Sequence, residues 1–252
     1  MLVLLPPSET KRDGGSPVAL ALDALSFPSL RAARVEALRA TMELASDADE
    51  MMRVLKLGPR QAAEVDRNRQ LRSSPTMPAL DRYTGVLYDA LDAPSLSASA
   101  RTYAADHVAV HSALFGIIGA SDPIPAYRLS HDSRLPGLRL RSHWRNPIGT
   151  LLAGRSGLIV DLRSEGYVEL GPAPARGDSV FLRIVSVDEG GRRRALNHFN
   201  KRAKGLFTRA LLEARPTLET RDDLMEWCAG AGFRLELGVE RPSAPAELEL
   251  VA

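Results

Sequence analysis

A serine, a carboxylic acid and a lysine follow directly on the first apolar run of the chain. Met1-Leu2-Val3-Leu4-Leu5 stops at Pro6-Pro7 and gives way to Ser8-Glu9-Thr10-Lys11. The apolar run reads as a buried strand, and in α/β sheets sites are built at the carboxyl ends of strands. There a hydroxyl, an acid and an amine can bind an anion or polarise a substrate, with Glu9 as the acid/base candidate. The same residues also suit a solvated loop in which Ser8 and Glu9 start a helix. No glycine-rich phosphate loop accompanies them, so Lys11 is not a Walker lysine.

A second chemical signal is charge. From Arg192 to Arg215 there are eight Lys/Arg and one acid, Glu213, in a chain whose net charge is only +2. Clustered cations need an anionic partner or solvent to offset their repulsion, and phosphate is the first candidate. Lys201 and Lys204 are three apart, which puts them on one face of a helix, with Arg202 beside them.

Leu55-Lys56-Leu57-Gly58-Pro59-Arg60 reads as a tight turn between two short helices, with Gly58 expected to be left-handed and Pro59 opening the second helix. A helix-hairpin-helix of this kind directs backbone N–H groups at a phosphate without reading bases. Arg53, Lys56 and Arg60 would add positive charge. Lys56 replaces the motif's first glycine, and Pro59 removes one N–H. A plain helical hairpin packed on the core is the competing reading.

Arg82-Tyr83 with Tyr88, and Tyr127-Arg128, place aromatic hydroxyls beside guanidinium groups, either lining a cleft for a polyanion or packing in the core. Arg139, Arg141, His143 and Arg145 alternate with Leu138, Leu140, Ser142 and Trp144, as the solvent face of a strand or a basic stripe would. His107 and His111 are four apart, but no further ligand follows at a usable spacing, so no metal site is expected. Asp161, near the end of the apolar run Leu158–Leu162, is either catalytic or a turn cap. The single cysteine, Cys228, excludes an internal disulfide and reads as a buried thiol.

The elements that must position these groups are those of an ordinary globular chain. With 252 residues, 44% hydrophobic and 25% charged, it can bury a large core. No repeat is visible. The first apolar run is too short for a signal segment or a membrane span, so a cytoplasmic location is the expectation. Helices are expected over about 28–45, 47–55, 61–69, 97–107, 201–214 and 221–231, with Ser46 capping the second. Strands are expected at 2–5, from 108, at 158–162, 167–170, 179–188, 194–199 and, last, 232–237. A hairpin turn is expected at Asp188–Gly191. The mixture indicates a single α/β (α+β mixed) domain over 1–240, a central mixed sheet with surrounding helices. Residues 241–252, rich in Pro and Glu, are expected to form a flexible tail.

Six segments in order resemble the YaaA family of peroxide-stress-resistance proteins. They are Leu5–Lys11, Arg82–Tyr88, Ser112–Gly116, Tyr127–Leu129, Asp161–Ser164 and Asn200–Gly205. The resemblance implies a cytoplasmic protein that helps cells survive hydrogen peroxide and is linked to lower free iron. It also implies a compact α/β fold with a positive cleft, and a helix-hairpin-helix, here at Leu55–Arg60, that binds duplex and branched DNA. The function expected first is therefore sequence-nonspecific DNA binding that limits iron-dependent oxidative damage. The binding residues would be Arg53, Lys56, Gly58, Arg60, Arg82, Tyr83, Arg128, Lys201, Arg202 and Lys204. The alternative is a ligase- or transferase-like enzyme acting on a small anionic or nucleotide substrate. Its pocket would comprise Ser8, Glu9, Lys11, Tyr83, Arg128, Lys201 and Lys204, with Glu9, Lys11 and Lys204 as catalytic candidates. No cofactor is expected. Direct iron chelation is disfavoured because no dense His/carboxylate cluster is apparent.

Overall fold

The computed structural model of the chain describes residues 1–187, 193–194, 197–239 and 243–251. Its centre is β1 (Leu2–Leu5), four residues buried on both faces, which is why the sequence there is continuously apolar rather than alternating. On one side β1 pairs in parallel with β3 (Val108–Ser112), beyond which lies antiparallel β4 (Gly116–Gly119). On the other side come β6 (Ile159–Asp161), β7 (Ser179–Val187) and β10 (Ala246–Val251), all parallel, then antiparallel β9 (Arg234–Leu237). β8 (Arg193–Arg194) pairs with β7, completing an eight-stranded sheet, and β2 (Met77–Pro78) pairs separately with β5 (Pro123–Ile124). The register sets Leu5 opposite Val110 and Leu4 opposite Asp161, so the chain leaves β1, β3 and β6 at one edge of the sheet.

Helices α1 (Arg31–Ser46), α2 (Ala48–Val54) and α3 (Ala63–Arg69) form one group, and α4 (Ala79–Arg82), α5 (Val86–Leu91) and α6 (Ala98–His107) lead into β3. They are followed by α7 (Leu140–Ala153), α8 (Glu165–Glu169), α9 (Asn197–Ala214) and α10 (Arg221–Gly230). Asp47, rather than Ser46, caps α2, accepting the Glu50 N–H at 3.0 Å. Cys228 is buried. Among the described residues no helix is long and apolar enough to cross a membrane.

Four element assignments are also corrected. The alternating arginines at 139–145, one reading of which is the solvent face of a strand, lie at the start of helix α7. Leu140, Trp144, Ile148 and Leu152 are buried at four-residue spacing, and this helical period prevails over the local alternation. Residues 167–170 fall in and after α8, not in a strand. Of the strand expected over 194–199, Arg194 is extended, in β8 (Arg193–Arg194), whereas 197–199 open α9, and residues 195 and 196 lie outside the described residues. The expected tail contains β10, in which Leu248 and Leu250 enter the core and Glu247 pairs with Arg183 of β7 at 2.9 Å. Glu247 is therefore neutralised by the neighbouring strand rather than by solvent. The turn expected at Asp188–Gly191 lies outside the described residues.

One close approach sets the position of α9. A Cβ on Gly205 would stand 2.2 Å from the Leu87 carbonyl oxygen and 2.8 Å from Ala90 Cβ, so only glycine lets α9 cross α5 at this distance.

Candidate functional site

The loop after β1 is held by the segment between α4 and α5. Thr84 N–H donates to the Thr10 carbonyl at 3.2 Å, Arg12 N–H to the Arg82 carbonyl at 2.8 Å, and the Tyr88 hydroxyl to the Pro6 carbonyl at 2.8 Å. The loop carries Lys11 inward, to 7% exposure. Its Nζ donates to the carbonyls of Ser8 (3.0 Å) and Glu9 (3.2 Å), and lies 4.0 Å from the centre of the Tyr127 ring and 5.4 Å from that of Tyr83. Burial is the main reason its pKa falls to about 7; Arg128 and Arg67 push the same way, and Glu64 and Glu9 oppose them.

A line of hydroxyls runs from Lys11 toward the end of β3. Tyr83 and Tyr127 hydroxyls are 2.8 Å apart, and Tyr127 is 2.7 Å from Ser112 Oγ. Ser112 Oγ accepts the Leu114 and Phe115 N–H groups at 3.1 and 3.0 Å, which occupies its two lone pairs, so its own proton goes to Tyr127. Burial raises Tyr83 well above the usual tyrosine range and Tyr127 to about 12, so both stay protonated near neutrality. At the rim Arg128 pairs with Glu9 at 2.6 Å. Asn68 of α3 fixes Arg128 by bonding both its N–H and its carbonyl at 2.8 Å.

The end of β6 supplies a buried ionic pair. Asp161 and Arg163, 1% and 0% exposed, meet through Nε at 2.8 Å and Nη2 at 2.6 Å, and Arg163 Nη1 also donates to His111 Nδ1 at 2.8 Å. Lys204 of α9 caps the same strand end, donating to the Leu162 carbonyl at 2.7 Å. Its pKa drops to about 8, chiefly through burial. Leu162 N–H in turn donates to the Leu4 carbonyl at 2.9 Å, tying the exits of β6 and β1.

The structure thus brings Ser8, Glu9, Lys11, Tyr83, Arg128 and Lys204 to the carboxyl ends of β1, β3 and β6. Lys201 and Arg202 are exposed on α9, so Lys201 and Lys204 do not share a face toward this centre. Arg82 is fully buried, donating to the carbonyls of Arg12, Gly14, Pro75 and Ile124; it braces backbone and is not free to meet an anion. In the hairpin the left-handed residue is Lys56 (φ 53°), whereas Gly58 is extended (φ −80°, ψ 166°), because the turn reverses at the end of α2 before Leu57 enters the core. The Gly58 N–H is taken by Gln61 Oε1 at 3.1 Å. Arg53 pairs with Glu50 at 2.6 Å, and Arg60 is exposed. Sequence reasoning did not single out Ser112, Arg163 or Tyr167 as site residues; the contacts that tie them into the centre, to Tyr127, to His111 and to His111 with His131 respectively, are distant in sequence, and only the resembling segments around the first two marked them.

A cavity of about 870 Å³ opens beside this centre, lined by His131, Arg134, Arg139 and Arg141 among others. Arg141 also pairs with Glu169 at 3.3 Å. His131 connects the two regions, since its ring lies 5.1 Å from that of Tyr167, which lies 5.4 Å from His111. The hairpin is close as well. Asp132 is held below the usual carboxylate range first by its bond to Ser130, with His131 and Lys56 adding to it. Among the described residues no group of three His, Cys, Asp or Glu is arranged to hold a metal ion.

A parallel sheet with antiparallel edges, whose polar centre sits at the strand carboxyl ends, makes this an α/β protein with a strand-end site. The family described as "Peroxide stress protein YaaA" matches residues 1–237. A UPF0246 protein of Corynebacterium glutamicum (strain R) is 41% identical over 256 residues, 100% of both chains. One from Streptomyces coelicolor is 40% identical over 240 residues, 94% of this chain and 92% of the relative. The chain belongs to the YaaA family of peroxide stress proteins.

Proposed function

We propose that this peroxide stress protein works at the strand-end centre, where it binds and acts on a small anionic or nucleotide molecule. The observation that supports this is convergence. Residues from six segments scattered from Leu5 to Gly205 are joined there by hydrogen bonds and ring contacts, from Pro6 and Tyr88 through Lys11, Tyr127 and Ser112 to Leu162 and Lys204. Two lysines with lowered pKa at one sheet edge are what a site that moves protons near neutrality requires. Lys11, with both protonation states populated near pH 7, is the proton carrier and Lys204 the anion contact. Glu9 is tied to Arg128 and serves as an anchor. Isothermal titration of the full chain with inorganic phosphate and a nucleotide panel tests this. Binding that Lys11→Met weakens supports it; no binding by any of them sinks it.

DNA binding is a second reading, and one observation favours it: the arginine-lined cavity beside the hairpin. A duplex laid there would be held through phosphates, without sequence preference, and shielded from iron-dependent damage. The hairpin contributes charge from Lys56 and Arg60 rather than a phosphate-binding turn, since the Gly58 N–H is already bonded. Fluorescence anisotropy with duplex and four-way-junction DNA checks this. The triple variant Arg134→Ala/Arg139→Ala/Arg141→Ala should flatten the log–log salt dependence by roughly 0.9 in slope for each phosphate it no longer neutralises. Unchanged binding by the triple variant counts against this placement.

A further inference from the structure

His111 is fully buried at the carboxyl end of β3, and its Nδ1 receives the Arg163 Nη1–H at 2.8 Å. A guanidinium has no lone pair to offer, so this contact makes Nδ1 the acceptor. In a neutral imidazole the proton must then sit on Nε2. Burial first, and the adjacent Arg163 charge second, hold the His111 pKa well below the usual histidine range, so the ring stays neutral. The tautomer is fixed further back by Asp161, which grips Arg163 with both carboxylate oxygens, and by the Gly171 carbonyl, which takes the second Nη1 proton at 2.9 Å. Three buried residues are therefore aligned to present one N–H.

That N–H has no acceptor among the described residues. A buried donor without a partner carries a desolvation penalty on the order of 1–3 kcal/mol, and native proteins rarely leave one so. The neighbouring Tyr167 ring, 5.4 Å away centre to centre and edge-on, is at most a weak acceptor. Beyond Tyr167 stands His131, on the wall of the basic cavity.

We infer that the His111 Nε2–H donates a hydrogen bond to an oxygen of the anionic molecule held at the strand-end centre, with Arg163 and Asp161 as its positioning residues. This rests on the small-anion reading given above. A neutral donor suits the task, because it orients a phosphoryl or carboxylate oxygen without competing with Lys11 and Lys204 for charge.

Long-range ¹H–¹⁵N correlation on the full chain, with inorganic phosphate and then ATP as probes, tests it. In the free protein His111 should show the Nε2-protonated neutral form, and the probe that binds should move its Nε2–H signal. By titration, His111→Phe should weaken that probe about tenfold, the size expected for one hydrogen bond to a charged group, and His111→Gln, which keeps an N–H donor, should recover part of the loss. A ring protonated at Nδ1 overturns the inference even if the variants fail to fold. A His111 signal that stays still while the Lys11 amine responds also overturns it, and leaves the small-anion reading standing. No response at either residue overturns both.

Discussion

Lys11 Nζ lies 4.0 Å from the centre of the Tyr127 ring, while the hydroxyl of that same ring bonds Ser112 at 2.7 Å. One side chain thus gives the lysine an aromatic face and, at its far end, closes a hydroxyl line on the end of β3. The aromatic face and two backbone carbonyls hold a charged amine in place. Burial nevertheless lowers its pKa to about 7. Burial outweighs the contacts that favour the charged form, and the lysine is left poised between its two forms near pH 7.

Stability should record this poise. The unfolded chain keeps Lys11 protonated up to its ordinary pKa, near 10.4, whereas the folded chain releases the proton near pH 7. Between these values the unfolded state binds more protons, so folding becomes more favourable as pH rises through the window. Below about pH 7 both states are protonated and the full penalty of burying the charge is present. Urea unfolding of wild type and Lys11→Met at pH 7 and 9.5 should show wild type gaining a few kcal/mol on the variant. A constant difference would mean that the folded-state pKa is not lowered.

Tyr127→Phe should cost about 1–3 kcal/mol, although it deletes a single oxygen. Ser112 has committed its lone pairs to Leu114 and Phe115, so its proton is left without an acceptor, and the Tyr83 hydroxyl loses the same partner. Tyr83→Phe, at the other end of the line, should cost less. Denaturant midpoints of the two variants check the order.

What could be read in the sequence was local. Leu2–Leu5 followed by two prolines announced a buried strand and its polar exit, and Ser46 marked the start of α2 to within one residue. What could not be read depended on distance along the chain. His111 and Arg163 are 52 residues apart, and nothing near either one points to the other. The arginines around α7 alternate as in a strand, and only the Leu140–Trp144–Ile148–Leu152 spacing betrays the helix. Glu247 looked solvated because Arg183, which neutralises it, arrives from another strand.

Asp161→Asn should be strongly destabilising, about 3–5 kcal/mol, because it leaves the Arg163 guanidinium buried without its counter-charge. Replacing both residues, as in Asp161→Leu/Arg163→Met, should recover much of that loss while removing the support of His111. Thermal unfolding of wild type and both variants separates the charge effect from lost packing.

Gly205→Ala reverses the usual sign of a helical substitution. In a helix interior alanine is ordinarily favoured over glycine by about 1 kcal/mol. Here the new methyl would meet the Leu87 carbonyl at 2.2 Å, and backbone cannot swing aside as a side-chain tip can. α9 must move away from α5, at roughly 1–3 kcal/mol. Lys204 is the preceding residue and bonds the Leu162 carbonyl at 2.7 Å, so the same movement withdraws it from the end of β6. The variant should therefore unfold at a lower temperature and also bind phosphate less well than wild type. Lys204→Met should reproduce the loss of binding without the shift of α9. A Gly205→Ala protein as stable as wild type would show that the two helices do not cross this closely.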